Sequence, residues 1–169
     1  MYYLAYGSNL HPLRLRERVP SSRLQGSLML PGYRLSFHKV GQDDSGKCNI
    51  INTGDTIDGV HAALFTLHEE EKVLLDEFEG KGYRVAHLEV NWQGQLIRPF
   101  VYLAEHEYID DAVPPYHWYK EIVSLGALHL GLPVHYIRTI DRQVSAMDPD
   151  EARNRHHCQL IERLRAWPE

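Results

Sequence analysis

The chain has 169 residues, of which 43% are hydrophobic and 24% charged, and its formal net charge is −5 with histidine neutral. This size and composition are typical of a single domain with a substantial buried core. An acidic chain argues against nucleic acid as a partner, and the short basic stretch LRLRER at 13–18 does not reverse that balance. No apolar stretch approaches the roughly 20 residues that span a bilayer, and the N-terminus lacks a secretory pattern. We therefore expect a cytoplasmic protein with no membrane partner.

The cysteines and histidines do not predict a metal site or a disulfide framework. Cys48 and Cys158 are far apart and form no C-x-x-C motif. The eleven histidines are scattered, apart from the cluster His156-His157-Cys158. Adjacent helical residues point about 100° apart and do not easily share one ion. The expected role of this cluster is a solvated helix face.

The first half of the chain alternates short apolar runs with turn residues, a pattern that predicts strands. The expected strands lie at 2–6, 22–30, 33–40, 48–53 and 59–67. Between the first two, Asn9 is placed to cap a short helix whose first turn contains Pro12.

After the fifth predicted strand, the spacing of apolar residues changes from that of a strand to that of a helix. Leu67, Leu74, Leu75 and Phe78 fall on one face of a helical wheel, and Gly80 is a stop signal, so an amphipathic helix is predicted over 67–80. The runs 83–92 and 95–104, separated by Gln93-Gly94, predict a hairpin.

Helices are expected at about 116–130, 134–146 and 149–166, the last with Asp148 as its cap before Pro149. The fold class is therefore α+β, with a small, mixed, mainly antiparallel sheet that curls toward a β-barrel and has helices around it. We expect one domain over 1–169, with a C-terminal helical extension at about 149–169.

One candidate site is the turn Tyr6-Gly7-Ser8-Asn9-Leu10 that ends the first strand. Gly7 permits close approach of a ligand to the backbone, and the N–H groups of residues 8–10 lead into a helix N-terminus. That arrangement suits a carboxylate or an oxyanion. Taken alone, the turn is also explained as a helix cap with no other role.

A second candidate is Glu79, in the last turn of the amphipathic helix. It lies about 40° from Leu75 on the wheel, beside the apolar face, whereas Glu77 points to solvent. The helix dipole, the like charge of Asp76 and partial burial would each raise the pKa of Glu79. Such a carboxyl suits general acid/base catalysis. The alternative is a solvated acidic helix face.

Two further features have both a functional and a simpler interpretation. Tyr116, Trp118 and Tyr119 open a helix and are candidates either for a pocket wall or for the core. Cys48 is a candidate thiol nucleophile, but no His or Asp partner is near it in sequence.

Taken in order, several segments resemble the gamma-glutamyl cyclotransferase family over about residues 2–140. The specific marks are the YGSN turn and the acidic helix ending in Asp-x-x-Glu-Gly. The supporting segments are YLAYGSNL, SGKCNI, GVHAALFTL with LLDEFEGKGYRV, and PPYHWYKEIVSLGALHLGLP. The helix at 149–166 is not part of the resemblance.

The resemblance implies a small mixed barrel and cyclisation of a γ-glutamyl group to 5-oxoproline, with release of an amino acid or amine. It implies Glu79 as the acid/base and a substrate held by the backbone of the turn Tyr6-Gly7-Ser8-Asn9-Leu10. Tyr83 and Tyr119 match positions of pocket tyrosines. No metal or organic cofactor is implied, and the partner is a small-molecule γ-glutamyl substrate bound by a monomer or a homodimer.

The resemblance leaves more than one class of γ-glutamyl substrate open. A glutathione-specific branch of the family typically has Tyr-Gly-Ser-Leu at the turn, so Asn9 argues against that assignment. The branch acting on γ-glutamyl amines shares Tyr-Gly-Ser-Asn. A competing hypothesis is a non-catalytic module on the same fold that binds a small anion or a partner protein.

Overall fold

A computed structural model describes residues 1–168, and within them nine strands and five α-helices form an α+β fold. The strands are β1 (Tyr2–Ala5), β2 (Arg23–Pro31), β3 (Tyr33–Val40), β4 (Gly46–Asn52), β5 (Gly59–Thr66), β6 (Tyr83–His87), β7 (Val90–Trp92), β8 (Gln95–Ile97) and β9 (Phe100–Ala104). The helices are α1 (Pro12–Arg18), α2 (Lys72–Glu79), α3 (His117–His129), α4 (Val134–Asp141) and α5 (Glu151–Ala166). The α+β part of the predicted fold class is confirmed. Glu169, the last residue of the expected extension, lies outside the described residues.

The main sheet has five strands in the order β2-β5-β1-β9-β6. Strand β1 pairs antiparallel with β5 and parallel with β9, so it lies in the middle of the sheet. The pairs β3–β4 and β7–β8 form two separate sheets. Within residues 1–168 the pairings do not close into a ring, so the expected barrel is not shown. Because β1 is central, the strand that leads into the turn is held by neighbours on both sides.

The predicted hairpin around Gln93-Gly94 is present but interrupted. Tyr83 pairs with Ala104 and Trp92 with Gln95, in one continuous antiparallel register. The ladder breaks beside Pro99, which has no N–H to donate. The end of the hairpin near its turn is the small β7–β8 sheet, and the other end, formed by β6 and β9, is part of the main sheet.

Two predicted helix caps are wrong. Helix α1 is capped by His11, whose Nδ1 accepts from the Leu13 amide at 3.2 Å, and Asn9 lies outside the helix. Helix α5 is capped by Asp150, not Asp148. Asp148 instead accepts from Trp118 Nε1 at 2.8 Å. Because neither Asn9 nor Asp148 caps a helix, both side chains can form hydrogen bonds to other elements of the fold.

Helix α2 is shorter than the predicted segment and follows a 3₁₀ turn at Glu69–Glu71. It ends at Gly80, whose φ of 66° is the left-handed conformation that favours glycine, as predicted. Its apolar face is narrower than expected, because Leu75 is buried while Phe78 is 55% exposed. None of the helices within residues 1–168 is long and apolar enough to cross a membrane.

Candidate active site

The turn after β1 and the end of α2 meet at two neighbouring cavities, which we call the inner and the outer cavity. The inner cavity has a volume of about 20 Å³, room for roughly one water-sized group. Its walls are mostly tyrosines and the turn: Tyr3, Tyr6, Gly7, Ser8, Asn9, Cys48, Glu79, Tyr83, Tyr102 and Tyr119. The outer cavity has a volume of about 260 Å³ and shares Ser8, Glu79, Tyr83 and Tyr119 with the inner one. Seven of the eight predicted site residues therefore lie together, although they are far apart in sequence.

Glu79 is the acidic residue that lines both cavities, and its side chain is partly buried. Burial raises the pKa of its carboxyl above the ordinary value. The nearby charges of Arg18 and Arg14 oppose that rise. A hydrogen bond from Asn9 and the charge of Lys39 oppose it further. The direction agrees with the shift predicted from the sequence, and burial is its largest cause.

The expected repulsion from Asp76 does not contribute to that rise. Asp76 is exposed and pairs with Lys72, with 2.6 Å between Oδ1 and Nζ. It also accepts from the Tyr102 hydroxyl at 2.5 Å. Because Lys72 and the Tyr102 hydroxyl already bind the Asp76 carboxylate, its electrostatic repulsion of the Glu79 carboxylate is weak.

Asn9 connects the turn directly to Glu79. Its Nδ2 donates to Glu79 Oε1 at 2.8 Å and lies 3.2 Å from the hydroxyl of Tyr3. Its Oδ1 accepts from Arg18 at 2.9 Å. The side chain is 3% exposed, so these bonds form in a site from which water is largely excluded. Asn9 thus fixes the orientation of one oxygen of the carboxyl.

The backbone of the turn offers fewer amides than the sequence suggested. The Leu10 amide donates to the Gly7 carbonyl at 3.0 Å and closes the turn. The amides of Ser8 and Asn9 donate to no other group in residues 1–168. Helix α1 begins only after His11, so these amides precede the helix instead of forming its first turn. Two N–H groups, at Ser8 and Asn9, are therefore the candidate oxyanion donors.

Gly7 is required by packing as well as by any ligand. A Cβ at this position would lie 2.8 Å from the Cβ of Cys48, closer than real Cβ contacts, and 3.3 Å from its sulfur, which is a tight contact. The turn can therefore lie against β4 only if residue 7 has no side chain.

Tyr83 and Tyr119 hold the backbone of Cys48 from two sides. The Tyr83 hydroxyl donates to the Cys48 carbonyl at 2.5 Å, and the Tyr119 hydroxyl accepts from the Cys48 amide at 3.0 Å. Burial raises the pKa of the Cys48 thiol to about 12. A thiol with this pKa is a poor source of thiolate, which argues against the alternative of a cysteine nucleophile.

The outer cavity also contains four cations that carry no site motif in the sequence. They are Arg14 and Arg18 of α1, Lys39 of β3 and Lys47 of β4. Arg14 and Arg18 are four residues apart, so they lie on one face of the helix. The spacing of these two arginines within LRLRER is the sequence signal for this set of cations, but it does not show that Arg14 is buried.

Two of the other predicted residues lie outside both cavities. Leu10 is fully buried and lines neither cavity, and Tyr116 donates to the Asp43 carbonyl at 3.0 Å, also outside them. Tyr6 lines the inner cavity, but its hydroxyl donates a hydrogen bond to the Tyr102 carbonyl at 2.5 Å.

The expectation of a solvated face at His156-His157-Cys158 is wrong for the middle residue. His157 stacks on Trp118, with 3.6 Å between ring centroids, and lines the outer cavity. Its neighbours His156 and Cys158 are exposed. Within residues 1–168 no group of three or more His, Cys, Asp or Glu side chains could hold a metal ion.

Comparison with known proteins gives consistent matches. The human protein named gamma-glutamylcyclotransferase is 30% identical over 159 residues, which is 88% of this chain and 79% of the relative. The bovine protein of the same name is 26% identical over 156 residues, with the same coverage. A solved structure named gamma-glutamyl cyclotransferase superposes with a TM-score of 0.82 at 26% identity, covering 96% of this chain and 98% of that one. No protein-family model matches the chain.

Proposed function

The chain is an enzyme of the gamma-glutamylcyclotransferase family, and on that premise we propose that it converts a γ-glutamyl amino acid or amine to 5-oxoproline, with Glu79 as general base and then general acid. The observation that carries this proposal is the contact between the two predicted halves of the site. The turn after β1 and the partly buried carboxyl of Glu79 meet through Asn9, whose Nδ2 lies 2.8 Å from Glu79 Oε1.

The reaction needs one group that takes and returns a proton. The Glu79 carboxylate removes a proton from the α-ammonium of the γ-glutamyl group, and the free amine attacks the γ-carbonyl carbon. A C–N bond forms and the five-membered ring closes. The protonated Glu79 then gives its proton to the departing nitrogen, and the original C–N bond breaks as the tetrahedral intermediate collapses. The ring nitrogen releases its second ammonium proton to the departing amine or to solvent, which leaves the N–H of the lactam. A carboxyl whose pKa is raised by burial is suited to both steps near neutral pH.

The carbonyl oxygen becomes negatively charged in the tetrahedral intermediate. We assign its stabilisation to the backbone amides of Ser8 and Asn9, which donate to no other group in residues 1–168. Fixed N–H groups in a site with little water stabilise such an oxyanion strongly. The Ser8 hydroxyl has no nucleophilic role in this scheme, because the substrate supplies its own amine.

Tyr83 and Tyr119 belong to the binding site in this proposal as the floor of the cavity. Both hydroxyls bind the backbone of Cys48, so their rings, more than their hydroxyls, face the substrate.

The direct test is incubation of the purified protein with γ-glutamyl-alanine and with γ-glutamyl-ethylamine. The expected product is 5-oxoproline, detected by mass spectrometry, with alanine or ethylamine in equal amount. Binding of both compounds without any 5-oxoproline would contradict the proposal and would favour the non-catalytic binding module.

A further inference from the structure

Arg14 lies in the wall of the outer cavity without a partner of its own. It is 6% exposed, and its Nε is buried with no hydrogen-bond acceptor. No carbonyl, hydroxyl or carboxylate in residues 1–168 accepts a hydrogen bond from the rest of its guanidinium either. A buried guanidinium without a partner is unusual, because the loss of its hydration is normally offset by hydrogen bonds or a counter-charge.

The other cations of the outer cavity do have partners. Arg18 donates to Asn9 Oδ1 at 2.9 Å. Lys47 pairs with Asp43 at 2.7 Å, and Lys39 donates to the Lys81 carbonyl at 2.8 Å. Burial, with a smaller effect from Arg18, lowers the pKa of Arg14 to about 9, so the group is still charged at neutral pH. Arg14 is thus the cation of this cavity whose N–H donors bind no acceptor within residues 1–168, although its charge acts on Glu79.

Helix α5 brings a second unsatisfied polar atom to the same cavity. The Nδ1 of His157 is buried and has no hydrogen-bond partner in the described part of the chain. Its ring is held against Trp118, which is itself anchored to Asp148. Arg14 and His157 come from opposite ends of the sequence, yet both line this cavity and each has a buried nitrogen with no hydrogen-bond partner in residues 1–168.

We propose that Arg14, with His157 beside it, binds a carboxylate of the substrate and so determines which γ-glutamyl compounds are turned over. This inference rests on the proposed function. A planar guanidinium accepts a carboxylate with two parallel hydrogen bonds, which suits it to this task better than an ammonium. The C-terminal helix then has a role in the site through His157.

A γ-glutamyl amino acid carries two carboxylates, one on the glutamyl α-carbon and one on the leaving amino acid. Either would satisfy Arg14. Three substrates separate them: γ-glutamyl-alanine, γ-glutamyl-ethylamine, which lacks the leaving-group carboxylate, and γ-glutamyl-alanine with a carboxamide at the glutamyl α-position.

The experiment measures kcat/KM for the cyclised lactam with the parent enzyme, with Arg14→Met and with Arg14→Lys. We expect Arg14→Met to lower kcat/KM by about 10- to 100-fold for γ-glutamyl-alanine, the range for loss of a charge-assisted hydrogen bond. The carboxamide substrate keeps only the carboxylate of the leaving amino acid. If Arg14→Met loses activity with this substrate but not with γ-glutamyl-ethylamine, Arg14 binds the leaving-group carboxylate. γ-Glutamyl-ethylamine keeps only the glutamyl α-carboxylate. If the variant loses activity with this substrate but not with the carboxamide, Arg14 binds the glutamyl α-carboxylate. Arg14→Lys should recover part of the activity.

An equal loss with all three substrates, or no loss with any, would overturn the proposal. Thermal unfolding without ligand is a second readout. Replacing an unpaired buried charge by an apolar side chain of similar length should leave Tm unchanged or raise it. A Tm well below that of the parent would instead mean that the guanidinium is paired within the fold, and would count against a ligand role.

Arg16→Met is the matched control, because Arg16 is on the same helix but exposed and outside both cavities. It should change none of the three values of kcat/KM. If the parent enzyme forms no lactam from any substrate, the proposed function fails. Calorimetric titration of γ-glutamyl-alanine into the parent and Arg14→Met then tests the arginine separately: weaker binding by the variant supports the assignment, and equal binding overturns it.

Discussion

The side-chain amide of Asn9 donates to Glu79 Oε1 at 2.8 Å, across 70 residues of sequence. Asn9 is not the cap of helix α1, since His11 performs that function. Its amide is therefore free to hold the carboxyl of α2, while its own oxygen is held by Arg18 at 2.9 Å. The turn after β1 contributes a residue that controls the state of the proposed acid/base as well as backbone donors.

Replacing Asn9 by leucine should raise the pKa of Glu79. The hydrogen bond from Asn9 lowers this pKa because it stabilises the carboxylate. Without that bond, less opposes the effect of burial, and the pKa rises. The proposed base must be deprotonated, so the acid limb of the pH profile of kcat/KM should move to higher pH. At pH values on that limb we expect a fall of about 10-fold or more.

The control for this change is Asn52→Leu, at the exposed end of β4 and outside both cavities. Its pH profile should coincide with that of the parent. An unshifted acid limb in Asn9→Leu would show that Asn9 does not act on the ionisation of Glu79.

Gly7→Ala should disturb the turn through Cys48. The added Cβ would lie 2.8 Å from the Cβ of Cys48, so the turn or β4 must shift. We expect a loss of about 1–3 kcal/mol in the free energy of unfolding, the usual cost of overpacking, together with a lower kcat/KM. Removing the opposing atom in Gly7→Ala/Cys48→Gly should recover part of both, measured by urea unfolding and by turnover. If the double variant is no better than the sum of the single ones, steric conflict with Cys48 is not the reason for glycine here.

Tyr119→Phe and Tyr83→Phe should each cost stability, because each leaves one backbone group of Cys48 without its partner. The loss expected for an unpaired buried donor or acceptor is about 1–3 kcal/mol. KM should rise as well, since Cys48 forms part of the inner cavity. Tyr2→Phe, in the exposed part of β1, is the control for removing a hydroxyl and should change neither quantity. Stability equal to that of the parent, combined with a higher KM, would mean that the hydroxyls serve the substrate instead of Cys48.

Local patterns predicted the parts of the fold that depend on neighbours in sequence. The alternation of apolar residues located strands such as Tyr33–Val40, and the left-handed position of Gly80 ended α2 as expected. The hairpin around Gln93-Gly94 was also correct in register. Closure of the sheet depends on contacts between distant strands, and there the expected barrel is not shown.

The site was predictable only in part, for the same reason. The turn and Glu79 each carry a local signature, so both were identified from the sequence. Their connection through Asn9, the role of Cys48 as packing partner of Gly7, and the approach of His157 from α5 are tertiary contacts that no spacing reveals. Arg14 is an intermediate case, because its spacing from Arg18 was visible but its burial was not.

The central claim is that Glu79 moves the proton in both halves of the reaction. Glu79→Gln keeps the shape of the side chain and a polar contact with Asn9 but cannot exchange a proton. Glu70→Gln, an exposed change in the 3₁₀ turn before α2, is the matched control and should behave as the parent.

The decisive measurement is the rate of 5-oxoproline release from γ-glutamyl-alanine by the parent, Glu79→Gln and Glu70→Gln, with each protein shown to be folded. The account predicts that Glu79→Gln lowers kcat by roughly 10²–10⁴-fold, the usual contribution of general acid/base catalysis, with a much smaller change in KM. Release of 5-oxoproline by Glu79→Gln at the parent rate would contradict it.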